Sequence, residues 1–269
     1  MRTLLLFIAF FNTEIIERSL ESFAREKKAW NSFDLVVLEN PSPNSSEIRR
    51  VVSKYLRQGV VLAHLRWEKN VAANVVTRAV LEGHLAAVTP LALHEYEYIG
   101  VTEGDVVVEP GLLQEMQTLL GDHPELEHVA ADVDLSNLPL NNFPEAREWV
   151  PAPLDRGDYL EGETGLQLVL ARTSAFFAFI GALARGELRE KTVLTWRECP
   201  TFSDRNWRQF AQQRGKPWAR TKKRRLLHIG WELYSDLDND YVRHKDALVK
   251  SGSFWQDEGG KLSVKRLPA

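Results

Sequence analysis

The sequence predicts a single α/β domain with a mostly parallel central sheet and helices on both faces. Two observations carry this. Short apolar runs alternate with longer amphipathic segments through the first 120 residues, the order that builds strands joined by crossover helices. The 269 residues, 44% hydrophobic and 26% charged, suffice for a full core without staples.

Residues 4–10 read as the first strand. Asn12 or Thr13 caps a helix to about residue 25, with Ile15, Ile16, Leu20 and Phe23 on one face. Residues 34–38, Asp-Leu-Val-Val-Leu, form the second strand, and 39–44, with Pro41, Pro43 and Asn44, the turn after it. Ser45 or Ser46 caps a helix over 48–56, and 60–65 is the third strand. Residues 71–87 read as a helix that tolerates Gly83. Residues 98–101 form the fourth strand, and Pro110 opens a helix over 111–120. The second half is less regular: a strand over 129–135, a loop over 137–158 (Pro139, Pro144, Pro151, Pro153) expected to lie over the site, a strand over 166–170 and a very apolar helix over 174–183. A helix over 203–214 ends at Gly215, and 226–229 is a short strand. The tail after Trp231 is polar without a clear period.

A formal net charge of −3 does not suggest nucleic-acid binding. The one cysteine, Cys199, excludes an internal disulfide framework and fits a reducing compartment. Residues 3–11 resemble a short signal peptide, but no small-x-small cleavage site follows and the run is too short to span a bilayer. It reads as a buried first strand, and no other window is long enough to span. The expected location is the cytoplasm, or the inner face of the membrane as a peripheral protein.

The segment Tyr98-Ile99-Gly100-Val101-Thr102-Glu103-Gly104-Asp105-Val106-Val107-Val108 carries the chemistry. Alternation along an extended backbone puts Glu103 and Asp105 on one side. Gly104 between them would leave room for a ligand to approach the backbone. Two hard oxygen donors at a strand end suit a Mg²⁺ or Mn²⁺ ion that also holds a phosphate-bearing ligand. Two solvated acids at a strand end are the alternative.

In this setting the chain resembles the inverting glycosyltransferases of the GT-A fold, family-two type, over roughly residues 3–232. Members open with a strand ending in a Pro-Thr-Tyr-Asn-like turn, here Ala9-Phe10-Phe11-Asn12. Val-Asp-Asn-x-Ser is matched by Leu38-Glu39-Asn40-Pro41-Ser42, and Glu-Asn-x-Gly by Glu68-Lys69-Asn70-Val71-Ala72. Phe-Leu-Asp-x-Asp-Val and a following Pro-Gly are matched by Val101-Thr102-Glu103-Gly104-Asp105-Val106 and Pro110-Gly111. The helix-opening Glu-Asp, the Gly after that helix and the His on the next strand are matched by Ser203-Asp204, Gly215 and His228.

The resemblance implies a GT-A-like, Rossmann-related domain over 1–232, with a nucleotide-binding half (1–110) and an acceptor half (111–232). The tail, 233–269, would form a lid or an oligomer contact. It implies transfer of a hexosyl or deoxyhexosyl group, with inversion, from a UDP, GDP or dTDP sugar to a hydroxyl of a glycan or lipid-linked acceptor, as in polysaccharide biosynthesis. Asp105 would bind the Mn²⁺ or Mg²⁺ that bridges the donor's two phosphates, and His228 would complete the metal site. Glu103 would act behind the metal or on the ribose. Phe11 would pack on base or ribose, Asn12 would line the nucleotide site, and Glu39, one methylene longer than the family's Asp, would accept from a base N–H. Asn70 would bond the nucleotide or cap the next helix, and Ala72 stands where the family has Gly. Asp204 would be the base that deprotonates the acceptor, with Glu198 in reserve; helix capping by Asp204 or Ser203 is the alternative.

The basic run Arg220–Arg225 would face diphosphate, a phospholipid head group, a lipid-linked acceptor or solvent. Trp196, Trp207 and Trp231 would stack on acceptor sugar or pack in the core. Two rival functions remain. A nucleotidyltransferase would carry a Gly-rich, basic phosphate loop after the first strand, which Phe10-Phe11-Asn12-Thr13 is not. A non-catalytic GT-A-like glycan- or protein-binding relative is allowed by the departures at residues 39, 72, 103 and 203.

Overall fold

A computed structural model describes residues 2–188, 202–250 and 262–269, apart from the side chain of residue 249. In chain order the elements are β1 (Thr3–Ala9), α1 (Thr13–Ala29), β2 (Phe33–Glu39), α2 (Ser45–Arg57), β3 (Val61–Trp67), α3 (Asn74–Leu81), β4 (Tyr98–Glu103), β5 (Val106–Val108) and α4 (Leu112–Asp122). There follow β6 (His128–Asp134), β7 (Leu154–Asp155), β8 (Leu160–Glu161), β9 (Leu168–Arg172), α5 (Thr173–Ala184), α6 (Asp204–Gln213), β10 (Ala219–His228), α7 (Asp240–Lys250) and β11 (Val264–Leu267). One sheet holds all the strands in the order β11-β3-β2-β1-β4-β9-β6-β10-β8-β7, with β5 on β10.

Strand period explains the two layers. Along β1, Leu5, Phe7 and Ala9 face one core with residues of α1, α2 and α4, while Leu4 and Leu6 face the other with residues of α3, α5 and α6. The expected α/β fold with helices on both faces is therefore present. The sheet is mixed: pairing is parallel through β3-β2-β1-β4 and between β6 and β10, and β9 runs antiparallel between β4 and β6.

The strand order places the site. β1 pairs with β2 on one side and with β4 on the other. The chain thus leaves β1 in opposite directions, and a crevice opens where the carboxyl ends of β1 and β4 diverge. Phe10–Asn12 and Glu103–Asp105 both follow those ends.

Several elements differ from the sequence expectation. The helix expected over 71–87 is limited to α3, because Gly83 adopts φ +75 and terminates the turn rather than continuing it. The strand expected over 226–229 begins at Ala219, with a register shift against β6 between Arg220 and Arg225. The polar tail folds as α7 and as β11, which pairs with the β3 edge and so covers it. Among the described residues no helix is long and apolar enough to cross a membrane.

Two buried polar residues stabilise the frame differently. Glu26 of α1 accepts from the backbone N–H groups of Gly111 (2.6 Å) and Leu113 (3.0 Å). It thereby satisfies the open N-terminus of α4, while burial pushes its carboxyl pKa up against those bonds. His128 lies between the ring edges of Trp207 (5.7 Å) and Trp218 (5.1 Å), and burial pushes its pKa down from 6.5 to about 4.

The folded chain therefore holds His128 neutral at a pH where the unfolded chain protonates it. Its contribution is complete above pH 6.5 and is lost as pH falls toward 4. Between pH 7 and pH 4 wild type should lose about 3 kcal/mol more than His128→Phe in urea unfolding. Equal losses in the two proteins would show that His128 does not govern this acid lability.

Candidate functional site

The crevice contains a cavity of about 320 Å³ lined from β1, the loops after β2, β3 and β4, and the C-terminal segment. The β1 end turns sharply. Phe11 adopts φ +60, and Asn12 caps α1 by accepting from the Ile15 N–H at 3.1 Å. Asn44 Nδ2 donates to the Phe11 carbonyl at 3.1 Å and holds the turn. The loop after β3 is clamped similarly: Asn40 Oδ1 accepts from the Val71 N–H and its Nδ2 donates to the Ala72 carbonyl, each at 2.9 Å. Ala72 adopts φ +50, the left-handed region that favours glycine, and Asn70 Oδ1 accepts from its N–H at 2.8 Å.

Glu103, Asp105 and His228 converge on this cavity, each offering a ligand atom within 4.8 Å of the others. β4 ends at Glu103, and Gly104 turns the chain tightly against β1. A Cβ at Gly104 would lie 2.5 Å from the Ile8 carbonyl oxygen, so backbone, rather than the expected ligand, occupies that side. β5 then pairs antiparallel with β10, with Val106 opposite His228. His228 Nε2 lies 3.3 Å from Asp105 Oδ2 and 3.5 Å from Glu103 Oε2. Gly230 approaches from below: its N–H donates to the Asp105 carbonyl at 3.1 Å, and a Cβ there would overlap the Asp105 carboxylate.

The electrostatics are those of a cation site. Burial opposes charge on His228, but the attraction of Asp105 and hydrogen bonding to Asp105 and Glu103 outweigh it and hold the imidazole pKa at about 10. Burial likewise pushes Asp105 up, and His228 and Lys245 outweigh it and bring its carboxyl below the usual range. Protonated His228 is thus the cation that balances the acids here. Asp105 Oδ1 and His228 Nδ1 are buried without a hydrogen-bond partner, although such atoms are normally paired. Two carboxylates and an imidazole with unsatisfied polar atoms suit a divalent cation that takes mixed oxygen and nitrogen ligands.

The other expected residues are placed unequally. Asn12, Asn70 and Glu103 line the cavity with Asp105 and His228. Phe11 is buried under the His244 ring, stacked at 4.9 Å, and the Tyr241 ring at 5.8 Å. Glu39 is fully buried and bonds His64 Nε2 at 2.7 Å through Oε2; it is not part of the cavity wall. Asp204 is exposed on the first turn of α6, and the cap is Ser203, whose Oγ accepts from the Asn206 N–H at 3.2 Å. Nearby Phe202 donates its N–H to Asn74 Oδ1 at 3.0 Å, which puts the α6 start beside the loop of cavity residues Ala72 and Ala73. Trp207 is core, 4.3 Å from Phe179, whereas Trp231 sets its ring edge-on to His228 at 4.8 Å. The basic run is largely structural: Arg220 and Arg225 pair with Asp132, and Lys222 with Asp155. Trp196 and Glu198 lie outside the described residues.

The sequence reading missed Tyr234, Tyr241 and Lys245, which line the cavity from the C-terminal side. A signal existed: Asn239 precedes the helix and its Oδ1 accepts from the Val242 N–H at 2.9 Å, and Tyr241 and Lys245 stand i, i+4 on one face.

No protein-family model matches the sequence. Two relatives are uncharacterized proteins of Acanthamoeba polyphaga mimivirus. One is 29% identical over 235 residues, covering 86% of this chain and 44% of the relative. The other is 30% identical over 226 residues, covering 82% and 28%. The chain therefore spans less than half the length of the curated relatives it matches. Among solved structures it is similar to the mannosyltransferase PcManGT from Pyrobaculum calidifontis in complex with GDP-Man and Mn²⁺, with a TM-score of 0.52 at 13% identity over 94% of this chain and 71% of that one. It is also similar to S. aureus TarS 1-349 in complex with UDP-GlcNAc, with a TM-score of 0.56 at 13% identity over 93% and 71%. The fold is of the GT-A glycosyltransferase type. At this identity the likeness establishes the fold alone.

The contact of Gly230 with Asp105 is testable. Gly230→Ala should cost about 1–3 kcal/mol of stability by overpacking. It should also lower the His228 pKa, read from the ring resonances by NMR, because the displaced carboxylate no longer supports the imidazolium. An unchanged titration would show that Gly230 does not position Asp105.

Proposed function

We propose that the protein is a metal-dependent inverting glycosyltransferase that uses a nucleotide-sugar donor. The observation that carries the reading is the meeting of Glu103, Asp105 and His228, with unsatisfied buried atoms, in the cavity at the β1–β4 divergence. The GDP-Man with Mn²⁺ and the UDP-GlcNAc in the two similar structures support a donor of that class.

In this reading Asp105 and His228 hold Mn²⁺ or Mg²⁺, with Glu103 beside them. A bound divalent cation would neutralise the charge that grows on the leaving nucleoside diphosphate. Asn12 and Asn70 face the nucleotide with polar groups, and Ile8, Phe10, Ile15 and Ile16 supply the apolar part of the wall. Glu39 acts from behind the wall, oriented by His64, rather than on the base directly. Asp204 takes the proton of the acceptor hydroxyl as that oxygen bonds to the anomeric carbon and the bond to phosphate breaks. Its place on the exposed first turn of α6 leaves the carboxylate open to an acceptor. Trp231, buried in the core, backs His228 edge-on rather than reaching the acceptor, which in this reading is a hydroxyl of a glycan or a lipid-linked sugar.

A second reading, nucleotide binding without transfer, is favoured by the exposed position of Asp204 and by the burial of Glu39 against His64. One set of measurements separates the two. Thermal unfolding with UDP, GDP and dTDP should show a rise for one nucleotide only in the presence of Mn²⁺, worth about 2.7 kcal/mol at a ligand concentration a hundredfold above Kd. Asp105→Ala should abolish the rise. Asp204→Asn should keep it and lose donor hydrolysis and transfer. A rise in wild type without any turnover would select the binding reading, and no rise with any nucleotide would overturn both.

A further inference from the structure

We propose that Lys245 binds the diphosphate of the donor, so that α7 supplies a wall of the binding site. The inference rests on the nucleotide-sugar reading above and adds a ligand group from the C-terminal segment.

The geometry points there in three ways. First, α7 is anchored over the crevice. Asn239 caps it, and Asn239 Nδ2 also donates to the Leu233 carbonyl at 2.7 Å, which ties the helix start to the segment after His228. Second, Tyr241, His244 and Lys245 follow i, i+3, i+4 spacing and share one helix face. His244 and Tyr241 pack on Phe11 at the β1 end, so this face is turned to the carboxyl ends of the strands. Third, Lys245 lines the same cavity as Glu103, Asp105 and His228. Its ammonium donates to the Tyr234 hydroxyl and lies 5.1 Å from the Tyr234 ring centre and 5.8 Å from that of Tyr241. Two tyrosine rings thus flank the ammonium on the wall of the cavity that holds the acidic cluster.

The chemistry fits a polyanion. A divalent cation held by two carboxylates and an imidazole neutralises only part of a diphosphate. An ammonium on another wall of the cavity meets the remaining oxygens with charge-assisted hydrogen bonds. The two tyrosine rings beside the ammonium orient it by cation–π contact on the cavity wall.

The test is calorimetric titration in Mg²⁺ with two probes, inorganic pyrophosphate and the nucleoside diphosphate that wild type binds. Lys245→Met should weaken both by tenfold or more, and Lys245→Arg should stay within about threefold of wild type for both, because it keeps the charge. Three results would overturn the assignment while leaving the nucleotide-sugar reading intact: unchanged binding of either probe by Lys245→Met, a loss confined to the nucleoside diphosphate, or an equal loss in Lys245→Arg, which would mark a packing role. Wild type that binds neither probe would overturn both that reading and this one.

Discussion

The antiparallel pairing of β5 with β10 is the constraint on which the site depends. β4 delivers Glu103 to the crevice as any parallel strand delivers its last residue, and this alone would leave two solvated acids. The reversal at Gly104 lets the chain run back along β10, which puts His228 opposite Val106 and within ion-pair distance of both carboxylates. Glycines permit the two close passages. At Gly104 the turn presses on the β1 backbone, and at Gly230 the chain leaving β10 presses on Asp105. A side chain at either place would separate the acids from the imidazole, so the metal chemistry proposed here is a consequence of backbone proximity.

The β1 and β3 loops beside the cavity are built on strain. Phe11 and Ala72 both hold positive φ, at a cost of order 1–3 kcal/mol each. In each case an asparagine side chain from the loop after β2 bonds the backbone of that turn: Asn44 the Phe11 carbonyl, Asn40 the Ala72 carbonyl and the Val71 N–H. The segment Asn40–Asn44 therefore acts as a clamp between the β1 and β3 loops. It gives Asn40 a stronger part in shaping the site than Glu39, its neighbour, whose carboxylate turns inward to His64.

What the sequence disclosed follows from the range of the interactions involved. The first four strands, α1, α2 and α4 were legible because strand period, helix face and caps are local. Glu103 and Asp105 stood out as two acids at a strand end, but a turn at residues 104–105, not strand alternation, brings them to one cavity. His228 was legible through its resemblance to a family pattern, since nothing local shows that β5 pairs with β10. The burial of Glu39 was hidden because it depends on His64 of the neighbouring strand. The structural use of Arg220 was hidden because its partner, Asp132, is distant in sequence. The tail read as irregular because α7 has only a few apolar residues; among them Tyr241 packs on Phe11 and Tyr234.

The charge balance of the cavity ties these parts together. Burial works against the charge on Asp105, and nearby positive charge offsets it. Protonated His228 supplies one such charge and Lys245 adds to it at Asp105. A divalent cation would replace the imidazolium proton with a larger charge, because a ligating imidazole must be neutral. In the proposed reading, the Lys245 ammonium on the cavity wall would meet an anion that enters with the metal. In the proposed reading the same residues would favour a metal-bound diphosphate, which would couple the C-terminal helix to donor binding through electrostatics rather than through a change of fold.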